Sequence, residues 1–197
     1  MHTTNGTSNH NGHEFVDLGL PSGTLWATCN VGASSPEQTG LYFAWGETVG
    51  FAADEDWKLE KVFFWENYKG KEISSDLTLE QDAAHTCMGG NWRMPTKDEW
   101  QELIDNCNVT WVGNFNKTKV AGKLFTSKVN GKSVFFPADG RCGIASVIGA
   151  GQFGDYWSAT YLSKVTSYDF YFDSGNLYVS FDIRHHGRSV RGVWKSK

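Results

Sequence analysis

The sequence predicts a single α+β domain in which two short helices pack on small antiparallel sheets joined by Gly-rich loops. Three observations lead there. Strand-like apolar runs occur at both ends of the chain, with the helical segments between them. The chain carries 9 Trp, 7 Tyr and 13 Phe beside 22 Gly and only 4 Pro, which suits short strands separated by tight turns. Its 197 residues match one medium domain, long enough to bury about 70% of the surface an unfolded chain exposes. No unit of about 20–50 residues repeats, which argues against solenoids and propellers.

Residues 1–13 have no apolar side chain after Met1 and are expected to be a flexible lead-in, with His10 and His13 solvated, leaving 14–197 as the domain. This lead-in has neither a basic start nor an apolar stretch, so it does not read as a signal peptide. Phe15–Leu20 and Leu25–Cys29 read as strands around the turn Pro21-Ser22-Gly23, and Leu41–Gly46 reads as a buried run. Residues 50–75 mix charges with Trp57, Phe63, Phe64, Trp65 and Tyr68 and fix no element; Asp54-Glu55-Asp56 reads as a solvated loop. A short helix is expected over Leu79–His85, capped by Thr78. The strongest helix runs from Thr96 to about Asn106, because Thr96 and Glu99 form a capping box and Trp100, Leu103, Ile104 and Cys107 share one stripe. Lys123–Lys128 and Lys132–Phe136 flank Asn130-Gly131, a hairpin signal. Gly140–Gly154 reads as a loop over the core, and Tyr156–Val193 as three consecutive strands.

Several functional classes are disfavoured. A formal net charge of −4 with no basic block argues against coating nucleic acid. No apolar run reaches the roughly 20 residues needed to cross a bilayer, so no membrane insertion is expected. Cys29, Cys87, Cys107 and Cys142 show no metal spacing and read as mostly buried thiols, with all three pairings open. Gly149–Gly154 lacks the Lys-Ser/Thr of a phosphate loop. The sequence points to no enzyme, metal or cofactor: His185-His186 beside Asp182 and Arg188 is the one charged constellation, and adjacent strand residues face opposite ways unless the chain bends.

The segment 156–193 carries the functional signal. Phe170 and Phe172, then Leu177, Val179, Phe181 and Ile183, alternate onto one face and are expected to line the core. Asp169, Tyr171, Asp173, Asn176, Tyr178, Ser180 and Asp182 fall on the other. Five of the seven Tyr lie between Tyr156 and Tyr178, while Lys, Glu, Gln, Met and Trp are absent from Val165 to Val193. Tyr-rich, Lys-poor composition is that of a binding surface, since Tyr offers large rigid contact area. The expected contact residues are therefore Tyr161, Tyr168, Asp169, Tyr171, Asp173, Asn176, Tyr178, Ser180, Asp182, His185, His186 and Arg188, with Trp92, Trp100, Trp157 and Arg191 as scaffold. Strand propensity alone would also enrich aromatic and hydroxyl residues.

Five blocks carry a family resemblance over 15–193: Val16–Thr28, Gly40–Glu47, Gly90–Thr96, Tyr156–Thr160 and Gly187–Arg191. In this order they resemble the Fibrobacter succinogenes major paralogous domain of Bacteroidetes. The resemblance implies a C-type lectin-like fold of the formylglycine-generating-enzyme variety. It is also similar to the variable proteins of diversity-generating retroelements, bacterial or phage. Such systems randomise template adenines, typically turning AAC into NNC codons, which cannot encode Lys, Glu, Gln, Met or Trp. Two cues of relatives with this fold are missing here: the calcium-lectin Glu-Pro-Asn, Gln-Pro-Asp and Trp-Asn-Asp triplets, and any Cys beyond Cys142. The expectation is a ligand- or receptor-binding module with a variable face, on a cell surface or virion, recognising a protein or glycan. The alternative is a non-diversified surface or fimbrial-tip adhesin domain. Ligand identity and oligomeric state stay open.

Overall fold

The computed structural model describes residues 8–54 and 62–195. Strands dominate, with two short helices, which bears out the α+β class. A four-stranded sheet has the order β1-β2-β3-β14, from β1 (Ser8–His10), β2 (His13–Asp17), β3 (Thr24–Asn30) and β14 (Arg191–Lys195). A five-stranded sheet has the order β12-β11-β10-β13-β4, from β4 (Tyr42–Phe43), β10 (Phe153–Tyr161), β11 (Thr166–Asp173), β12 (Leu177–Ile183) and β13 (Arg188–Ser189). A three-stranded meander joins β5 (Cys107–Phe115), β6 (Val120–Ser127) and β7 (Ser133–Pro137), and β8 (Arg141–Cys142) pairs with β9 (Val147–Ile148).

The helix α2 (Lys97–Asn106) has the predicted box: Thr96 Oγ1 accepts from the Glu99 N–H, and Glu99 accepts from the Thr96 N–H. Its stripe packs Trp100 flat on Phe170, with ring centroids 4.3 Å apart, among Trp26, Phe125, Phe136 and Tyr156. A second cluster gathers Trp45, Trp92, Met94 and Trp157. Gly154 is required where it stands: it faces Phe172 across the ladder, and a Cβ there would lie 2.2 Å from that ring. Arg191, fully buried, holds the sheets together by donating to Asn30 Oδ1 and to the carbonyls of Ala27, Thr28 and Phe135. Trp92, Trp100, Trp157 and Arg191 are thus scaffold, as expected.

Some expectations are corrected. Ser8–His13 is not a loose lead-in but a hairpin, in which the His10 ring stacks between Phe15 and Trp194 at 4.5 and 4.3 Å. A polar strand is held there by partners distant in sequence. Residues 1–7 lie outside the described residues, as do Glu55, Asp56 and Trp57 of the acidic loop. The helix after Thr78 splits into a 3-10 turn at Leu79–Gln81 and α1 (Ala83–Met88), because Asp82 accepts from the His85 N–H and starts a new cap. Gly140–Gly154 contains the β8–β9 ladder rather than only loop. The segment 156–193 includes parts of five strands, not three. Cys107 and Cys142 are buried and Cys29 partly so, but Cys87 is exposed. Among the described residues no helix is long and apolar enough to cross a membrane.

Candidate functional site

Alternation and ladder register place the side chains of the five-stranded sheet on two faces. On the side of α2 lie Tyr156, Phe170 and Phe172 in the core, with Leu177 and Val179 partly buried against them. On the other, outer face, Asp155 stands opposite Tyr171 and Trp157 opposite Asp169 across β10 and β11. Across β11 and β12, Tyr171 is opposite Tyr178 and Asp169 opposite Ser180. The predicted two-sided ribbon is present, but its outer face divides into a closed centre and an open end.

The centre is an ion network. The fully buried Arg188 donates from Nε to Asp155 Oδ1 at 2.8 Å and from Nη2 to Asp182 Oδ2 at 2.5 Å; its Nε lies 3.3 Å from Asp169 Oδ2. Its guanidinium stacks on Trp157, 4.2 Å from the ring centroid. Arg141 adds a second cation, 3.2 Å from Asp182 and 3.4 Å from Asp155. Burial, then repulsion from Asp155, pushes the Asp169 carboxyl well above the usual range. Against its partial burial, Arg188 holds Asp182 below that range. Oxygens of Asp155, Asp169 and Asp182 lie within 4.8 Å of one another, a spacing a metal ion could bridge. The cation bound among them is Arg188.

Asp169 and Arg188, expected at the surface, are therefore buried. Alternation assigns Asp169 a face correctly but does not tell what covers it. Tyr161 is half-buried against Trp45 and near the buried Arg184. Tyr168 falls on the α2 side, with Lys97 Nζ 5.6 Å from its ring centroid, because it shares the parity of Phe170. Phe181, predicted inward, is 60% exposed at the sheet edge, and Ile183 is half-buried. The chain does bend at His185-His186: the rings meet at 4.7 Å, and His185 sits edge-on to Trp65. Burial, His185 and Arg188 push His186 down to about 4, so it is neutral at pH 7.

The open end holds what remains of the predicted site. Tyr178, 48% exposed, stacks on Tyr171 at 5.3 Å, and Tyr171 meets Phe153 at 5.5 Å. Phe153 and Tyr171 border an open cleft of about 670 Å³ that Trp111, Gln152, Asp173 and Asn176 also line. Asp173 is the turn acceptor of the β11–β12 hairpin, taking hydrogen bonds from the N–H groups of Gly175 and Asn176, the Asn176 amide and the Tyr171 hydroxyl. The Asn176 amide first among these lowers it to about 2, and burial with Asp173 raises Tyr171 to about 12. Ser180 and Asp182 link this end to the centre, both half-buried. Phe153, Trp111 and Arg141 were missed because they precede the Tyr-rich segment; Phe153 lies opposite Asp173 in the ladder, which only the β10 register reveals. A more enclosed cavity of about 430 Å³ lies elsewhere, beside His13, Thr28, Cys29 and Met88, and shares no residue with this row. No protein-family model, curated protein or solved structure matches this chain.

Proposed function

We propose that the protein is a binding module whose ligand seats on Phe153, Tyr171 and Tyr178, with Asn176, Ser180 and Asp182 as polar contacts and His185 and His186 at the rim. One observation carries the reading. Three aromatic rings stand in a row, Tyr178 exposed and Tyr171 and Phe153 partly so, on a sheet whose centre is cross-linked by Arg188 to three aspartates. Rigid aromatic anchors on a fixed backbone lose little entropy on binding, which is how hot spots gain their energy. The ion pairs of Arg188 with Asp155, Asp169 and Asp182 support this reading by tying together the strands that present the rings.

The five sequence blocks support a C-type lectin-like fold and a place among surface or virion proteins that display a variable face. Trp26, Trp45, Trp92, Trp157 and Arg191, all from those blocks, are fully buried, as residues that preserve a scaffold would be. The ligand is then a protein or glycan on another surface.

Two experiments test the reading. Arrays of glycans and surface proteins, probed with the purified chain, are expected to retain it on a restricted set of ligands; no retention on either array contradicts it. For diversification, a near-copy of the DNA coding for 165–193 should lie beside a reverse-transcriptase gene and differ at adenines. Absence of that repeat would leave the non-diversified adhesin.

A further inference from the structure

The strand β12 ends its sheet with an edge that no other strand covers among the described residues. The direction of its free backbone groups follows from the ladder. Asp173 N–H donates to Asn176 O and Arg184 N–H to Val165 O, and both pairs continue the register in which Phe170 faces Val179. Hydrogen-bonded pairs alternate along an antiparallel ladder. Tyr178, Ser180 and Asp182 therefore spend their backbone groups on β11, while Leu177, Val179 and Phe181 aim theirs outward. Ile183 is already satisfied, by Asp182 Oδ1 on its N–H and by the His186 N–H on its carbonyl.

Natural edges are protected by Lys, Pro or a bulge. Leu177-Tyr178-Val179-Ser180-Phe181-Asp182-Ile183 has neither residue, and its pairing with β11 has no register shift. The one charge, Asp182, points inward to Arg188, which blunts an edge only near itself, at the far end of the strand from Leu177 and Val179. Phe181 stands 60% exposed beside the open groups.

We propose that β12 is the seam of an antiparallel homodimer, two copies joined edge to edge about a two-fold axis through Val179. In that register Leu177 faces Phe181 of the second copy, Val179 faces Val179, and Tyr178 faces Ser180. Every outward N–H and C=O of Leu177, Val179 and Phe181 finds a partner. Positions related by the axis share parity, so apolar side chains meet apolar ones and the polar face continues as a polar face. This register opposes no like charges, since Asp182 comes opposite the neutral Asn176, whose amide is taken by Asp173. A second copy fits better than a foreign strand because the pattern is its own mirror about Val179, as a two-fold interface requires. The dimer would present both Tyr171–Tyr178 pairs on one side of a doubled sheet, and it stands whether or not those rings bind a ligand.

Sedimentation velocity of the full chain, from low micromolar to near-millimolar concentration, tests this. The wild type is expected to reach twice the monomer mass as concentration rises, and Phe181→Lys to stay monomeric with native near-UV circular dichroism. A wild type monomeric throughout, or a folded Phe181→Lys that still dimerises, overturns the proposal. Should that variant not fold, amide exchange of the wild type decides. Protection at Leu177, Val179 and Phe181 must rise with concentration; protection independent of concentration overturns the seam.

Discussion

The closed centre and the open end of one sheet face use the same residue types to opposite ends. Asp169 is buried beside Asp155 and is pushed toward its protonated form; Asp173, at the hairpin turn, is held ionised by amide donors. Tyr161 packs on Trp45, whereas Tyr178 stands half in solvent. Arg188 is sealed between three carboxylates and a Trp ring; Arg141 reaches two of them, Asp155 and Asp182, from a third-exposed position. The difference lies in cover and not in composition. Buried charges persist only when paired, and here the pairing fixes the strands that present the exposed rings.

The largest effect expected is at the centre. Arg188→Met leaves buried carboxylates without their cation and should cost about 3–5 kcal/mol at pH 7, read by urea unfolding. A loss below about 1 kcal/mol would mean the network does not hold the sheet.

The two aspartates should then show opposite pH signs. Asp169 has a raised folded pKa, so its contribution is fully present below about pH 4 and is lost as pH rises through the folded value. Asp173, lowered to about 2, contributes above about pH 4 and loses that contribution as pH falls toward 2. Urea midpoints between pH 2 and 8 should flatten in the upper part of that range for Asp169→Asn and in the lower part for Asp173→Asn. Slopes unchanged by either substitution would contradict the two environments.

At the open end effects on stability should be small. The cross-strand pair Tyr171–Tyr178 is worth about 0.2–1 kcal/mol, so replacing both rings by Ala should lower the melting temperature by only a few degrees. Smaller still for recognition, Tyr168→Ala on the helix side should leave retention on the arrays unchanged; a loss there would move the binding face to the wrong side of the sheet.

Local signals were legible where local chemistry decides. The Thr96–Glu99 box, the Trp100 stripe and the Asn130-Gly131 turn, where Gly131 takes φ +72°, are set by residues a few positions apart. Alternation likewise separated Tyr171 and Tyr178 from Phe170 and Phe172. It could not show that Arg188 would sit beneath the same face, since that depends on a short parallel pairing of Tyr156 with Ser189. Nor could it place Phe153 and Trp111 beside the Tyr row, or warn that β12 would be an edge that leaves Phe181 uncovered. The N-terminal hairpin escaped for the same reason: its stability comes from Trp194, far along the chain.

The most direct test pairs fold with recognition in one variant. Tyr171→Ala combined with Tyr178→Ala should lose retention on every array ligand that holds the wild type, while its near-UV circular dichroism stays native. Retention undiminished, or a collapsed fold, would contradict a display role for the two rings.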